Sequence, residues 1–533
     1  MKFSFQLLRN IAFSLVLLPL YSCYFIPSEV LIRSNAVGVI KVPARRAVDA
    51  SLGDSRRTMV LPGGGIISLR VEQRSNSSCG EDFGIARYNS QLQMEWAIPV
   101  LLECWREKFL GVTTDGRSVN VFTMQAIASD TNSALLTNAT QIKVTRFDAA
   151  NGRPVSDSII FKKEGNAQVQ YEASYADSLL LVYYYETESV DNNAGTANAL
   201  LINNSASIVS TTQIPFTKKT LPLKVDNQGN VFALTMTDDA LLDVSSPHIV
   251  KLSAVRRGPG SAGSRTLSFD LPLYPWVEQE AKMNNTTMRW YDYSITPDHD
   301  LIFTAQSEYD NKVGGITAAL FKFSSDTVFK TIDFAPRDPK DVVNAKRSWN
   351  FFKNNKIVGK HHMQNGHTIV VFENLEVNYY SHSESSGSYT NFYRTGPYET
   401  YGTHLVVAFD EKGNIVWKTF VDRNITPGPE DYASKQEASA GTLVVGNDLK
   451  LFYRDRGSRN GFSGFTINLA DGSQQRLDVP IVMENYGNGI LLEQRKTIVL
   501  PDGKAIFFTK NWQTETYGDI LGIDFTKIPV IED

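Results

Sequence analysis

The chain has 533 residues, 42% of them apolar, 11% aromatic and 21% charged. That apolar fraction is too high for a disordered chain and supplies a large core. Fifty-three basic residues against 57 acidic ones leave a net charge of −4, so no basic field marks a nucleic-acid binder.

Residues 1–23 read MKFSFQLLRNIAFSLVLLPLYSC, with Lys2 and Arg9 ahead of a ten-residue apolar run at 11–20. Ten helical residues rise about 15 Å, half of a hydrocarbon core of about 30 Å. The pattern predicts a cleaved signal peptide, not a span. No later stretch reaches 18 apolar residues, so no second crossing is expected.

The end of that run, Leu20-Tyr21-Ser22-Cys23, resembles the bacterial lipobox. The resemblance implies that 1–22 is a lipoprotein signal peptide and that Cys23 carries lipid as the new N-terminus. An ordinary secretory signal ending at a Cys is the other reading. Tyr24 is not Asp, and by resemblance to enteric lipoproteins that implies no inner-membrane retention. The expected place is therefore the outer membrane, on its periplasmic or its surface side, with contact through the lipid alone. Several acyl chains make a stable anchor where one is marginal. An oxidising compartment makes an odd Cys stand out. With Cys23 lipidated, Cys79 and Cys104 remain as one expected disulfide.

Beyond residue 30 no useful helical period occurs. Runs of four to eight residues rich in Val, Ile, Leu, Phe and Tyr alternate with Gly, Asn and Asp, which predicts strands and turns. TMVLPGGGII at 58–67 and TIVLPDGKAI at 497–506 share six of ten positions. A strand, a short polar turn and a returning strand recur at 143–161, 199–214, 249–258, 319–334, 406–420 and 465–479. Tyr88, Phe147, Ile202, Leu252, Phe323, Phe409, Ile467 and Ile523 are read as equivalent positions. An earlier turn precedes each, at Gly64, Gly116, Asp177, Gly229, His299, Gly366, Asn447 and Gly503.

Four antiparallel strands per unit, with no helices between, cannot cover both sheet faces unless the units pack radially. The expected fold is all-β, a β-propeller of four-stranded antiparallel blades spanning 46–533. Eight blades fit the spacing best, with seven the alternative. Residues 23–45 are read as anchor and tether, in which the apolar stretch 30–42 supplies a ring-closing strand. FDEKGNIVW at 409–417 resembles the Asp-x-x-Gly-x-x-x-Trp turn of quinoprotein-like repeats, and Trp96 is a partial match. The lipidated propeller of outer-membrane barrel assembly and the arylsulfotransferases carry similar blades.

With strands A to D running from the channel outward, A–B and C–D turns share one face. The C–D turns are tight, as at Ser90-Gln91, Asn151-Gly152, Lys412-Gly413 and Asp471-Gly472. The long inserts at 272–292, 335–355 and 375–402 all fall in B–C or D–A connections, on the other face. Long loops in compact domains usually carry function. Cys79 and Cys104 lie symmetrically about the turn at 90–93, which places both in connections of that face.

The insert at 379–401 holds Tyr379, Tyr380, Tyr389, Phe392, Tyr393, Tyr398 and Tyr401, and 272–293 adds Trp276 and Trp290. Tyrosines give large contact area at low entropic cost and suit protein or glycan recognition. Packing of these rings onto the propeller is the alternative. His361, His362 and His367 flank an A–B turn, and one of the first two is expected to face the channel. KHHMQNGHTIVVFEN at 360–374 is similar to the His-rich strand and terminal Asn of arylsulfotransferases, which implies catalytic roles for His361, His362 and Asn374. A purely structural role for these histidines is the other reading. No metal set, phosphate loop or nucleophile elbow occurs, and no cofactor is expected. The expected function is an envelope recognition or scaffold protein, more a binder than an enzyme. Its expected partner is an envelope protein or glycan, and its oligomeric state is open. The alternative is a propeller enzyme, an arylsulfotransferase-like transferase or a lyase, with its site at the channel mouth.

Overall fold

The computed structural model describes 30–32, 38–42, 54–61, 65–73, 81–100, 107–128, 137–164, 167–174, 178–186, 195–236, 248–259, 263–273, 286–296 and 298–309. It further describes 312–334, 355–363, 365–386, 389–421, 441–455, 461–479, 481–483, 490–492, 498–500, 502–511 and 517–531. Cys23, Cys79, Cys104 and Trp276 lie outside these residues, as do the segments 1–29 and 43–53.

The described strands form eight antiparallel sheets, six of them with four strands. The six four-stranded sheets are meanders in which consecutive strands pair: Glu107–Thr114, Ser118–Ala128, Thr137–Asp148 and Pro154–Glu164 make the second. Apolar clusters bind each sheet to the next. Met59 and Ile67 of the first sheet pack with Phe109 and Val112 of the second. Tyr293 and Phe303 of the fifth pack with Phe232 and Leu252 of the fourth. The series closes where Leu500 and Ile506 of the eighth sheet meet Ile66 and Tyr88 of the first. Sheets that cover one another's faces around a closed ring need no second layer. The fold is a β-propeller.

First strands of successive sheets contact one another, as Glu107–Thr114 does Gln168–Ala173 and Asn355–His362 does Gly441–Val445. They are therefore innermost. Fourth strands are outermost, and Pro154–Glu164 is largely exposed. The outer strand of the eighth sheet comes from the other end of the chain. Val39–Val42 pairs with Tyr517–Asp524, while Val30–Ile32 joins the seventh sheet through Ile481–Met483. The stretch 30–42 thus divides between two sheets.

Among the described strands, A–B and C–D pairs that are consecutive in the chain are joined by two to six residues, and the longer connections leave from the opposite face. The strand bounds refine two readings. Arg256 in register with Phe232, not Leu252, stands near the end of its third strand. Residues 286–292, expected within an insert, belong to strand Thr286–Ile295, so Trp290 sits on an inner strand.

Trp417 shows why the Gly-x-x-x-Trp spacing exists. From the outer strand of the sixth sheet its indole N–H donates to the Leu469 carbonyl of the seventh, at 2.9 Å. Its ring lies on Gly472, where an added Cβ would stand 2.6 Å from ring atom Cε3 and where φ is +75°. Trp96 docks on the second sheet in the same way, donating to the Ala149 carbonyl at 3.0 Å. Between the fourth and fifth sheets Arg265 takes this place, donating to the Phe323 carbonyl.

Candidate functional site

On the face of long connections one feature stands apart. In the sixth sheet, Thr368–Ser386 and Tyr389–Phe409 run paired far beyond their neighbours. The inner strand ends its pairing at Asn374, and the outer strand begins at His404. Over 375–386 and 389–402 the pair is therefore a two-stranded ribbon, whose first arm of 12 residues extends about 40 Å at the usual strand rise. The composition of 375–402 predicts a loop; the described backbone of this insert is a ladder instead. Tyr, Thr, Val and Phe favour extended pairing, and that preference prevails over the Ser and Gly between them. The register sets Tyr380 opposite Thr395, His382 opposite Tyr393, Ser383 opposite Phe392, Asn378 opposite Tyr398, Leu375 opposite Tyr401 and Ser386 opposite Tyr389. Tyr379 lies at an irregularity between Asn378 and Tyr380, where it alone stands against Gly396 and Pro397 of the second arm.

A two-stranded ribbon is marginal on its own. Its root is fixed by Glu373 and His404, which face each other across the ladder. Glu373 Oε1 and His404 Nε2 lie 3.1 Å apart with both side chains fully buried. The His404 ring stacks at 6.2 Å on Tyr453 of the seventh sheet.

His361 and His362 occupy the end of the sixth inner strand, beside the opposite face. Successive strand residues point to opposite faces of their sheet, and in radial sheets each face is turned toward an adjacent sheet. His361 Nε2 meets Thr442 Oγ1 of the seventh sheet at 2.9 Å. His362 Nδ1 meets Thr368 Oγ1 at 3.0 Å. Burial pushes both imidazoles down to about 4, and for His362 the charges of Lys360 and His361 add to it. Asn374 pairs with Asn355 while His362 pairs with Thr368. Six strand residues separate the two levels, about 20 Å, so the structure does not bring Asn374 to the histidines.

Sequence reasoning missed a polar cluster along the inner strands. Lys224 Nζ of the fourth sheet lies 3.2 Å from Asp292 Oδ1 of the fifth. Lys360 of the sixth donates to Thr304 of the fifth. Burial lowers the Lys360 ammonium pKa, and the positive charge of Lys224 works in the same direction while Asp292 opposes both. Charged groups of three consecutive blades thus meet beside His362. They are distant in sequence, so no local spacing announces them. Among the described residues, no group of three or more His, Cys, Asp or Glu is placed to hold a metal.

No family model matches the chain, and no curated protein matches it by sequence. Solved structures do resemble it. The WD40 domain of SCAP from fission yeast is 7% identical with a TM-score of 0.38, over 93% of this chain and 98% of that one. Puromycin hydrolase is 12% identical with a TM-score of 0.36, over 88% of this chain and 60% of the hydrolase. The quinohemoprotein alcohol dehydrogenase ADHIIG from Pseudomonas putida is 8% identical with a TM-score of 0.36, over 95% and 77%. Likeness at this level says nothing of activity. The chain spans about 60% of the length of the hydrolase.

Proposed function

We propose that the protein is an eight-bladed, lipid-anchored propeller of the bacterial envelope that recognises or scaffolds a partner through the ribbon of its sixth blade. The observation that supports this is the ladder at 375–402, which carries seven aromatic residues beyond the sheet. Beyond Asn374 and His404 no other described strand pairs with either edge. Such edges offer backbone groups to an added strand, and aromatic residues offer contact area at low entropic cost. An envelope protein is the expected partner, with a glycan as the alternative. Cys23 carries the anchor in the outer membrane. Cys79, between the second and third strands of the first sheet, and Cys104, after its fourth, are close in this reading and form a disulfide.

Photo-crosslinking in intact envelopes tests the proposal. Crosslinkers at 380 and 393 should give one adduct of defined mass, and one at 412 on the turn face should give none. Replacing 376–400 by a short turn should abolish the adduct and leave the fold intact. Cys23→Ala should move the protein to the soluble fraction and reduce the yield. Equal labelling from 412, or aggregation of the trimmed chain, would refute the ribbon's role. Retention of Cys23→Ala in the membrane fraction would refute the anchor. A heterogeneous adduct removed by glycosidase would identify a glycan.

The second reading, an arylsulfotransferase-like or lyase enzyme, draws on the convergence of Lys224, Asp292, Lys360 and His362. Turnover of an aryl sulfate that disappears in both His361→Ala and His362→Ala would establish the transferase form. Absence of turnover in the intact protein would dismiss it.

A further inference from the structure

On the turn face, away from the ribbon, a cleft of about 50 Å³ opens between the fifth and sixth blades. Asp298, Asp300, Asp410 and Glu411 lie around it, with Thr331 and His362 among the lining residues. Lys322 brings the one cationic side chain of the lining. Gly413 carries the turn with Asp410 and Glu411 over the fifth blade; a Cβ there would stand 1.2 Å from the Thr331 carbonyl oxygen, and its φ is +84°.

Asp410 is occupied with its own turn, accepting from the backbone N–H groups of Lys412 and Asn414 at 2.9 and 2.8 Å. Asp300 is different. It is 4% exposed and accepts the Phe323 N–H at 2.8 Å, and burial pushes its carboxyl pKa up. Thr331 is the extra residue at an irregularity between Lys330 and Ile332. It is 8% exposed, and its buried hydroxyl has no hydrogen-bond partner among the described residues. The buried Nε2 of His362 has none either. Unsatisfied buried polar atoms are uncommon and costly, and these two belong to residues that line one cleft, which calls for an occupant.

We propose that this cleft binds a primary ammonium group on an unbranched alkyl chain, supplied by a lysine side chain of a partner or by a free amine. Carboxylates outnumber the cation around the opening, so the ligand is positive. The Thr331 hydroxyl and the Nε2 lone pair accept two of its N–H groups, with the His362 Nδ1 proton donated to Thr368, and Asp300 supplies the countercharge. The space holds a few waters' worth of volume, roughly one head group with its nearest methylenes. The site stands independently of the ribbon, which lies on the other face.

Calorimetric titration of the detergent-solubilised full chain tests it, with butylammonium, N-acetyl-lysine amide, its ε-acetylated form and calcium chloride as probes. Both amines should bind and the acetylated form should not. Tighter binding of the lysine amide than of butylammonium would identify a side chain as the source, and the reverse a free amine. Asp300→Asn, which keeps an acceptor for Phe323, should weaken binding roughly tenfold or more because a charge-assisted bond is lost. Thr331→Val should also weaken it while leaving thermal stability equal or higher. Failure of both amines to bind, preference for calcium, or unchanged affinity in both variants would overturn the proposal.

Discussion

Trp417→Ala is expected to lower the unfolding free energy by about 3–5 kcal/mol, the usual range for emptying a large aromatic site. The residue is 8% exposed and packs with Val406, Leu449 and Ile467 across the junction of the sixth and seventh blades. Its removal also takes away the indole donor that satisfies the Leu469 carbonyl. Trp96→Ala, at the half-buried counterpart, should cost less. Equilibrium urea denaturation of the two variants beside the parent measures both. A loss under about 1 kcal/mol for Trp417→Ala would contradict a docking role, since exposed positions typically stay below that.

Glu373→Ala is the second large effect. With both members fully buried, deleting the carboxylate removes the acceptor that faces His404 Nε2. Removing one partner of a buried pair typically costs about 3–5 kcal/mol. Glu373→Gln keeps an acceptor within reach of Nε2 and should lose less than half as much. Because the pair sits at the ribbon's root, proteolysis within 375–402 should accelerate in Glu373→Ala before the propeller itself unfolds. Urea denaturation gives the first quantity and limited proteolysis the second. Equal losses for Ala and Gln would mean that side-chain volume matters at this position and the hydrogen bond does not.

The all-β class and the meander were legible because strand and turn residues alternate with little interruption. Gly116, Gly229, Gly366 and Gly503 fall in the A–B turns where they were placed. Trp417 was legible through its spacing from Gly413, and its dock on the next blade gives that spacing its physical reason. Leu252 stands out of phase because the alternation in IVKLSAV has no turn residue to set its phase. Ser and Gly share the ribbon's composition with the aromatics and give it the pattern of a loop, and only the pairing of its two arms shows a ladder. Lys224, Asp292 and Lys360 were invisible for a different reason. Each is an ordinary charged residue on its own strand, and the Lys224–Asp292 contact spans 68 positions. Thr331 and His362 likewise acquire meaning only when two blades meet.

Closure of the ring joins these features into one body, and hydrogen exchange read by mass spectrometry reports on it directly. Val39–Val42 pairs with Tyr517–Asp524 over four consecutive positions, from Val39 opposite Ile523 to Val42 opposite Ile520. In the native chain the peptide covering 38–42 should exchange as slowly as that covering 517–524, since backbone groups in one ladder open together. Exchange of 38–42 at the rate of free chain, with 517–524 still protected, would show that the N-terminal strand does not close the propeller.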